Sequence, residues 1–413
     1  MEKRSSFLTG AMCGICFTLL LMLGIRTVGT EAAQKGEPST AVGAETESEK
    51  LSLDLEQSAR KLQAIEDIVN QYYYDEVDSE QVEAYIYKGM VAGLGDPYAA
   101  YYTEEELEQM LESSNGSYDG IGVTLTQDRS TGLITIVRCY ENTPAAEAGL
   151  QAGDILKKVN GEDAAAMDLN SLVSLIRTAK GETVTICVSR EGTEEELEFQ
   201  VERRKVEIPT VAHEMLDHQI GYIQIAEFDT ITEEQFIQAK EDLESQGMEK
   251  LIIDLRSNLG GVLDTVCQIL RQILPEGLIV YTEDKDGART EYRCDGAYEL
   301  DIPLAVLING YSASASEIFA GAVQDYGIGT LVGTKTYGKG IVQQTVRLTD
   351  GSAVKLTIAK YFTPLGNDIH GKGIEPDVEV ELEEQLKNQQ QISKEEDNQL
   401  QKAIEILEEE HAG

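Results

Sequence analysis

The apolar stretch Leu304-Ala305-Val306-Leu307-Ile308 runs directly into Asn309-Gly310-Tyr311-Ser312-Ala313-Ser314-Ala315-Ser316-Glu317-Ile318. This pattern predicts a buried strand that ends where a helix begins. Small residues at such a junction let another backbone approach closely, and the first turn of a helix presents unpaired amides and a partial positive charge. Both features favour a serine nucleophile and a developing oxyanion, so Ser314 is a candidate nucleophile. The alternative is structural, because Ser314 and Glu317 also match the S-x-x-E pattern of a helix capping box.

A second segment, Gly333-Thr334-Lys335-Thr336-Tyr337-Gly338-Lys339-Gly340, carries a candidate base. A free lysine has a pKa of about 10.4, so Lys339 can act as a base at neutral pH only if burial lowers its pKa by ~3 units. The residues next to Lys339 are uncharged. Period-two geometry places Lys339, Ile341 and Gln343 on one face, where the Gln343 amide can orient the amine. The alternative is an ordinary surface lysine in a turn.

The same segment also matches G-x-x-x-x-G-K, the pattern of a phosphate-binding P-loop. The context argues against a nucleotide site. Gly340 stands where a hydroxyl would hold magnesium, and residues 341–346 alternate like a strand, whereas a P-loop leads into a helix.

A third segment can supply the rest of an oxyanion site. The apolar run Leu251-Ile252-Ile253-Asp254-Leu255 continues through Arg256-Ser257-Asn258-Leu259 to a glycine pair, Gly260-Gly261. Backbone amides of Gly260 or Gly261, together with the amide of Ala315, are candidate donors to a substrate carbonyl. The alternative is a plain glycine turn between a strand and a helix.

Residues 207–385, which contain these three segments, alternate between strand-like and helix-like patterns. Such alternation predicts an α/β core with largely parallel pairing. The predicted strands are residues 220–228, 250–256, 278–283, 304–308, 329–332 and 353–361. The predicted helices are residues 233–244, 263–274 and 314–325.

Residues 115–206 form a compact β-rich block with glycine turns. The string Ala148-Gly149-Leu150, followed by Gly153-Asp154-Ile155-Leu156 and Val159-Asn160-Gly161, resembles a PDZ domain. A PDZ domain takes up an extended peptide along a strand edge. The resemblance implies that the amides of Gly120-Ile121-Gly122-Val123 hold the carboxylate of that peptide. The alternative is a plain β-sandwich.

The N-terminus carries targeting information. Lys3 and Arg4 precede residues 7–25, which carry no charge and are long enough to cross a bilayer. We predict a single-pass membrane anchor over residues 1–30, with the rest of the chain outside the cytoplasm because the positive charges lie on the short N-terminal side. The alternative is a cleaved signal peptide, for which residues 27–31 are a poor cleavage site. Residues 31–50 have the composition of a flexible linker.

Two peripheral segments carry amphipathic helical patterns. Residues 51–114 form an N-terminal helical segment in which Thr103 and Glu106 match a capping box, and residues 386–413 form a C-terminal helical tail. Uncovered apolar faces often mark partner surfaces, so we predict a homodimer or larger ring built from residues 51–114 and from residues 395–410 of the tail.

The composition excludes several classes of function. The formal net charge of −40 disfavours a nucleic-acid partner, because such a surface repels phosphate. The six cysteines form no disulfide framework and no zinc pattern, and the four histidines are scattered. We therefore expect no metal and no cofactor.

The motifs D-L-R-x-N-x-G-G, S-A-S-A-S-E-I and T-Y-G-K-G, in this order and with a PDZ-like block before them, resemble the C-terminal processing (tail-specific) peptidases. The resemblance covers residues 51–377. It implies a crotonase-like α/β protease core with an inserted, mostly β PDZ domain that receives substrate C-termini and gates the site. It also implies a serine endopeptidase in a bacterial cell membrane, with its catalytic part outside the cytoplasm.

The resemblance assigns roles to individual residues. Ser314 is the nucleophile, Lys339 its base and Gln343 the residue that orients the lysine, while Gly260 or Gly261 and Ala315 are the oxyanion donors. One departure concerns Gly366-Asn367-Asp368-Ile369-His370, where the family pattern G-R-x-I-Q has arginine and glutamine. A non-catalytic PDZ scaffold and a nucleotide-binding protein are the rival functions.

Overall fold

A computed structural model describes residues 51–410, except residues 129–130, 179–181, 194, 388 and 390–391. The predicted anchor and linker, residues 1–50, lie outside the described residues. Among the helices that are described, none is both long and apolar enough to cross a membrane. The described chain divides between residues 94 and 95 into two compact units.

The first unit contains two helices, α1 (Leu55–Tyr72) and α2 (Ser79–Ala92). Each begins behind an aspartate, Asp54 or Asp78, whose carboxylate accepts a hydrogen bond from a backbone N–H of the first turn. Many apolar side chains of these two helices are exposed, among them Leu62, Ile65, Ile68, Val82, Tyr85, Ile86 and Met90.

The second unit opens with strand β1 (Ala100–Tyr102) and helix α3 (Glu104–Asn115). The predicted capping box is confirmed, because Thr103 Oγ1 accepts from the Glu106 N–H while the Glu106 carboxylate accepts from the Thr103 N–H. Leu107 and Met110 bury one face of α3 against Ala353.

The PDZ-like block follows. Its elements are β2 (Ser117–Gly120), β3 (Val123–Gln127), β4 (Ile134–Cys139), α4 (Pro144–Ala148), β5 (Ile155–Val159), β6 (Glu162–Asp163), α5 (Leu169–Thr178), β7 (Thr183–Ser189), β8 (Leu197–Glu202) and β9 (Arg204–Glu207). The antiparallel sheet has the order β3-β4-β5-β7-β8, with β6 beside β5, while β2 pairs with β9. This block has its own apolar core, which includes Ile134, Leu156, Leu172 and Val184.

The remaining elements form the α/β core. They are β10 (Val211–Leu216), β11 (Ile220–Ile225), α6 (Thr232–Ser245), β12 (Lys250–Asp254), α7 (Leu263–Leu270), β13 (Gly277–Asp284), β14 (Arg289–Cys294), β15 (Leu304–Ile308), α8 (Ala315–Tyr326), β16 (Thr330–Gly333), β17 (Ile341–Arg347), β18 (Ala353–Phe362), β19 (Val378–Glu379) and α9 (Asn398–Glu410).

Two sheets share this core. The first has the order β10-β11-β12-β15-β16-β19 and is parallel except for β10. The second is antiparallel, with β18 paired to β1, β13 and β17, and with β14 on β13. The second sheet is the main difference from the predicted parallel core.

The parallel sheet is covered on both faces, which explains why its strands are apolar without alternation. From β12, Leu251 and Ile253 point into a core shared with α6, α7 and α8. Ile252 points the other way, against Leu400, Ala403 and Leu407 of α9. The apolar face of the tail helix is therefore buried within its own chain, and it is not the uncovered face on which the prediction of an oligomer interface at this segment rested.

The tail is also held by charge. The Arg256 guanidinium donates to the carboxylates of Asp254 and Asp397, at 2.6 and 2.7 Å. Arg256 belongs to the D-L-R motif, so that part of the motif fixes the C-terminal tail to the end of β12.

Candidate active site

The loop after β15 and the loop after β12 are joined through two of the three neighbouring serines. Ser312 Oγ donates to the Leu255 carbonyl oxygen at 2.8 Å, and Ser316 Oγ donates to the Asn258 carbonyl oxygen at 2.9 Å. Both side chains are fully buried. Ser312 and Ser316 therefore satisfy buried carbonyl groups, which distinguishes them from Ser314.

Ser314 occupies the position just before α8, but with an unusual backbone. Its φ and ψ are 55° and −111°, whereas a capping serine ordinarily has φ and ψ in the β region. A non-glycine residue in so sparsely populated a region stores of order 1–3 kcal/mol, and such residues concentrate at functional sites. The conformation is atypical of an ordinary cap.

Glu317 connects this serine to the lysine segment. Its buried carboxylate accepts from the backbone N–H groups of Ser314, Gly338 and Lys339, at 2.9, 2.7 and 2.7 Å, and from Thr336 Oγ1 at 2.6 Å. The capping pattern had indicated only the bond to Ser314. One carboxylate thus fixes the turn of Ser314 against the loop of Lys339.

Tyr361 of β18 makes a second connection between the same two residues. Its hydroxyl contacts the carbonyl oxygens of both Ser314 and Lys339. No sequence pattern indicated this role, because Tyr361 lies 47 residues from Ser314 in an ordinary strand pattern.

Lys339 is buried, with 1% of its surface exposed. Burial lowers its pKa to about 7, the charge of Lys355 acts in the same direction, and Glu317 and Asp96 oppose it. The residues next to Lys339 in the chain are uncharged. The structure places Glu317 nearby, but its oxygens already accept four hydrogen bonds, so the effect of burial prevails.

Gln343 is also buried, but the period-two geometry that was expected to place it on the same face as Lys339 does not hold. Strand β17 begins only at Ile341 and has a register shift between Val342 and Gln343, so period-two alternation does not extend from Lys339. Within the described chain the Gln343 Nε2 atom has no hydrogen-bond partner. A buried amide donor of this kind suits contact with a ligand.

The glycine pair lies directly beside Ser314. A methyl group on Gly260 would come within 2.9 Å of Ser314 Cβ and 3.0 Å of the Ala315 nitrogen, so only glycine fits. The Gly260 N–H already donates to Asn258 Oδ1 at 2.8 Å. Ala315 is the first residue of α8, where an N–H has no acceptor within the helix.

The Gly261 N–H points away from Phe228. Phe228 forms a parallel bridge with Gly261 in which its N–H donates to the Gly260 carbonyl and its carbonyl accepts from the Val262 N–H. The N–H of Gly261 therefore points away from the bridge, whereas the N–H of Gly260 donates to Asn258.

Asp229, next to Phe228, is a buried carboxyl group whose protonation should affect the stability of the folded chain. Burial, aided by the charge of Glu227, raises the pKa of Asp229 to about 8. The folded state then holds a proton that the unfolded state has lost, so the free energy of unfolding falls as pH rises from ~4 towards the folded pKa. Asp229→Asn should raise the urea midpoint at pH 8 more than at pH 5. An equal shift of the urea midpoint at both pH values would show that the pKa of Asp229 is not raised in the folded state.

The PDZ loop has the geometry of a turn. Gly120 ends β2, Ile121 is buried in the PDZ core, Gly122 has a φ of +86°, and Val123 begins β3. Burial raises the pKa of the Tyr118 hydroxyl, while hydrogen bonds from the Gly122 and Val123 amides act in the opposite direction. Tyr118 therefore contacts two of the amides predicted to hold a carboxylate.

The P-loop interpretation is wrong in this structure, because strand β17, not a helix, follows Lys339. Across the described residues no group of three or more His, Cys, Asp or Glu side chains could hold a metal ion.

Three family models match this chain. Residues 219–380 match the model of peptidase family S41, residues 135–190 a PDZ domain, and residues 19–106 the N-terminal domain of the activating protease CtpB. The chain is 36% identical over 324 residues to the carboxy-terminal processing protease CtpB of Bacillus subtilis (strain 168), covering 78% of this chain and 67% of that protein. It is 35% identical over 322 residues to the carboxyl-terminal-processing protease of Synechocystis sp., covering 77% and 75%.

Among solved structures, the photosystem II D1 C-terminal processing protease is similar at 30% identity and a TM-score of 0.45, covering 75% of this chain and 84% of that one. The sequence relatives alone decide the assignment: the chain belongs to peptidase family S41 and is a serine-type endopeptidase of the C-terminal processing family.

Proposed function

We propose that this peptidase uses Ser314 as nucleophile and Lys339 as general base on a crotonase-like core. The observation that carries the proposal is the Glu317 carboxylate, which joins the backbone of a strained serine to the backbone of a buried lysine whose pKa is lowered to about 7. Casein digestion by the wild-type chain and by Ser314→Ala tests the assignment.

The reaction is acyl transfer through a covalent intermediate. The neutral Lys339 amine takes the Ser314 hydroxyl proton as Oγ attacks the peptide carbonyl carbon. The Ala315 N–H, with that of Gly261 or Gly260, stabilises the oxyanion. The ammonium returns the proton to the leaving amine, and water then releases the acyl group by the same steps. Gln343 orients the lysine amine.

Substrate recognition is assigned to the PDZ domain. The chain of a substrate would add along the edge of the sheet, and the turn from Gly120 to Val123 would hold its terminal carboxylate. Support comes from the positive φ of Gly122, which directs consecutive amides around one point.

A peptide with a free, apolar C-terminus should be cleaved with a kcat/KM about tenfold higher than its C-terminally amidated form, since one charge-assisted contact is worth about 1.4 kcal/mol. Tyr118→Phe removes the hydroxyl that contacts the Gly122 and Val123 amides, so this ratio should increase. Equal cleavage of both peptides by the wild type and by Tyr118→Phe would exclude carboxylate recognition.

The proposed cellular location and oligomeric state each depend on one feature of the chain. The uncharged run at residues 7–25 supports a membrane anchor with the catalytic part outside the cytoplasm. The exposed apolar residues of α1 and α2 support a homo-oligomer built from that unit.

A further inference from the structure

The turn Asp96-Pro97-Tyr98 reaches Lys339 from a part of the chain that precedes the PDZ block. The Lys339 Nζ atom lies 4.8 Å from the centre of the Tyr98 ring. The turn is closed by a hydrogen bond from the Tyr98 N–H to Asp96 Oδ1 at 2.8 Å. It leads into β1, which pairs with β18 so that Ala100 faces Lys355. The position of Tyr98 is therefore fixed by a local turn and by the sheet.

Tyr98 is itself unsuited to proton transfer at neutral pH. Burial, together with a hydrogen bond to the Tyr337 side chain, raises the pKa of Tyr98 to about 12. The bond to Tyr337 ties the ring to the same segment that carries Lys339. The phenol thus remains neutral, and the face of the ring is what it presents to the amine.

An aromatic ring in this position has two opposite effects on a lysine. Its apolar surface excludes water from the amine, which disfavours the ammonium form. Its π face attracts a cation, which favours the ammonium form by roughly 0.5–2 kcal/mol. Different substitutions can separate these effects.

Other groups also act on Lys339 and must be held constant. Glu317 reaches it from α8, Asp96 from the turn, Lys355 and Tyr361 from β18, and Tyr337 from its own segment. The loop that carries Asp368 and His370 packs against Gly340. None of these residues is changed in the substitutions below.

We propose that Tyr98 is a positioning residue for the reaction: its ring covers the Lys339 amine and sets how much water reaches it. This inference rests on the proposed role of Lys339 as the base. Tyr98, which precedes the PDZ domain in the chain, then belongs to the environment of the base.

The test is the pH dependence of kcat/KM on one peptide between pH 5 and 9. Tyr98→Ala admits water, so the acid limb should move to higher pH by about one unit, with roughly tenfold lower activity below the limb and recovery near pH 9. Tyr98→Leu keeps an apolar cover but removes the π face, so the limb should move to lower pH by a few tenths of a unit. Tyr98→Phe keeps the ring, so it should restore the wild-type position of the limb.

A purely structural role predicts a loss of activity that is the same at every pH, and that result would overturn the proposal. Tyr101→Ala is the matched control, because it removes a tyrosine side chain three residues further along the same segment, where Tyr101 pairs with Val354 of β18. Its loss should leave the limb in place. If Tyr98→Ala does not fold, the other two variants still decide, because the limb should move to lower pH in Tyr98→Leu and stay at the wild-type position in Tyr98→Phe. An unmoved limb beside an inactive Lys339→Ala enzyme rejects only the role of Tyr98, whereas an active Lys339→Ala enzyme rejects the base as well.

Discussion

Ser314→Ala should fold normally and lower kcat by on the order of 10⁴ or more, because nucleophile and base act as one unit and the loss of either removes covalent catalysis. The substitution removes a single hydroxyl from a side chain that is only 7% exposed. The four bonds to Glu317 remain, since the one from residue 314 is made by its backbone N–H. Alanine keeps a Cβ at the strained φ of 55°, so no relief of strain is expected either.

Ser312→Ala and Ser316→Ala are the matched controls. Each removes a hydroxyl that donates to a buried carbonyl oxygen of the β12 loop. An unsatisfied buried acceptor costs about 1–3 kcal/mol of stability, so the urea midpoints of these two variants should fall. They should still turn over substrate. Loss of turnover in either control, with Ser314→Ala active, would mean that the nucleophile is a different serine. A fully active triple variant would mean that none of these three serines is the nucleophile.

The sequence was sufficient where local patterns determine structure. Strand β15 has the predicted bounds, and α6, α8, β13, β16 and β18 begin and end within one residue of theirs. The Thr103 capping box formed because all its atoms lie within one helical turn. These features depend on neighbours in the chain, which a single sequence displays.

Contacts between distant segments were not predictable in the same way. Glu317 was recognised as a capping residue, but its bonds to Gly338 and Lys339 depend on the folding of a loop more than twenty residues away. Tyr361 and the pairing of β1 with β18 carried no local signal for the same reason. The tail helix showed an apolar face, but the sequence could not indicate that β12 and β15 cover it.

Lys339→Arg should be inactive at every usable pH, because a guanidinium stays protonated and cannot accept the Ser314 proton.

In the wild type the acid limb of kcat/KM should follow one group near pH 7, since burial lowers the pKa of Lys339 to about 7. Activity is therefore expected to be low in acid and to rise with pH through that value. His370→Gln should not move the limb, although the loop of His370 packs against Gly340.

Lys339 also has a predictable effect on stability. Its folded pKa lies below its unfolded value, so between about pH 7 and 10.5 the unfolded state binds the extra proton and stability rises with pH. At pH 7 the buried amine then lowers the free energy of unfolding of the wild type by on the order of 4 kcal/mol. Lys339→Ala removes this cost but leaves a cavity, which lowers the free energy of unfolding by about 2–5 kcal/mol. Lys339→Ala should thus be inactive yet no less stable at neutral pH, and Lys339→Met, which fills the space without a charge, should be more stable.

Urea midpoints at pH 7 and pH 10 distinguish this account from a surface lysine. The advantage of Lys339→Met over the wild type should be largest at pH 7 and should shrink at pH 10, where the folded and unfolded wild-type chains both approach the neutral amine. A surface lysine would give the same small difference at both pH values. An active Lys339→Arg enzyme would show that another group takes the proton of Ser314, and the Ser-Lys assignment would have to be abandoned even if the stability results were as expected.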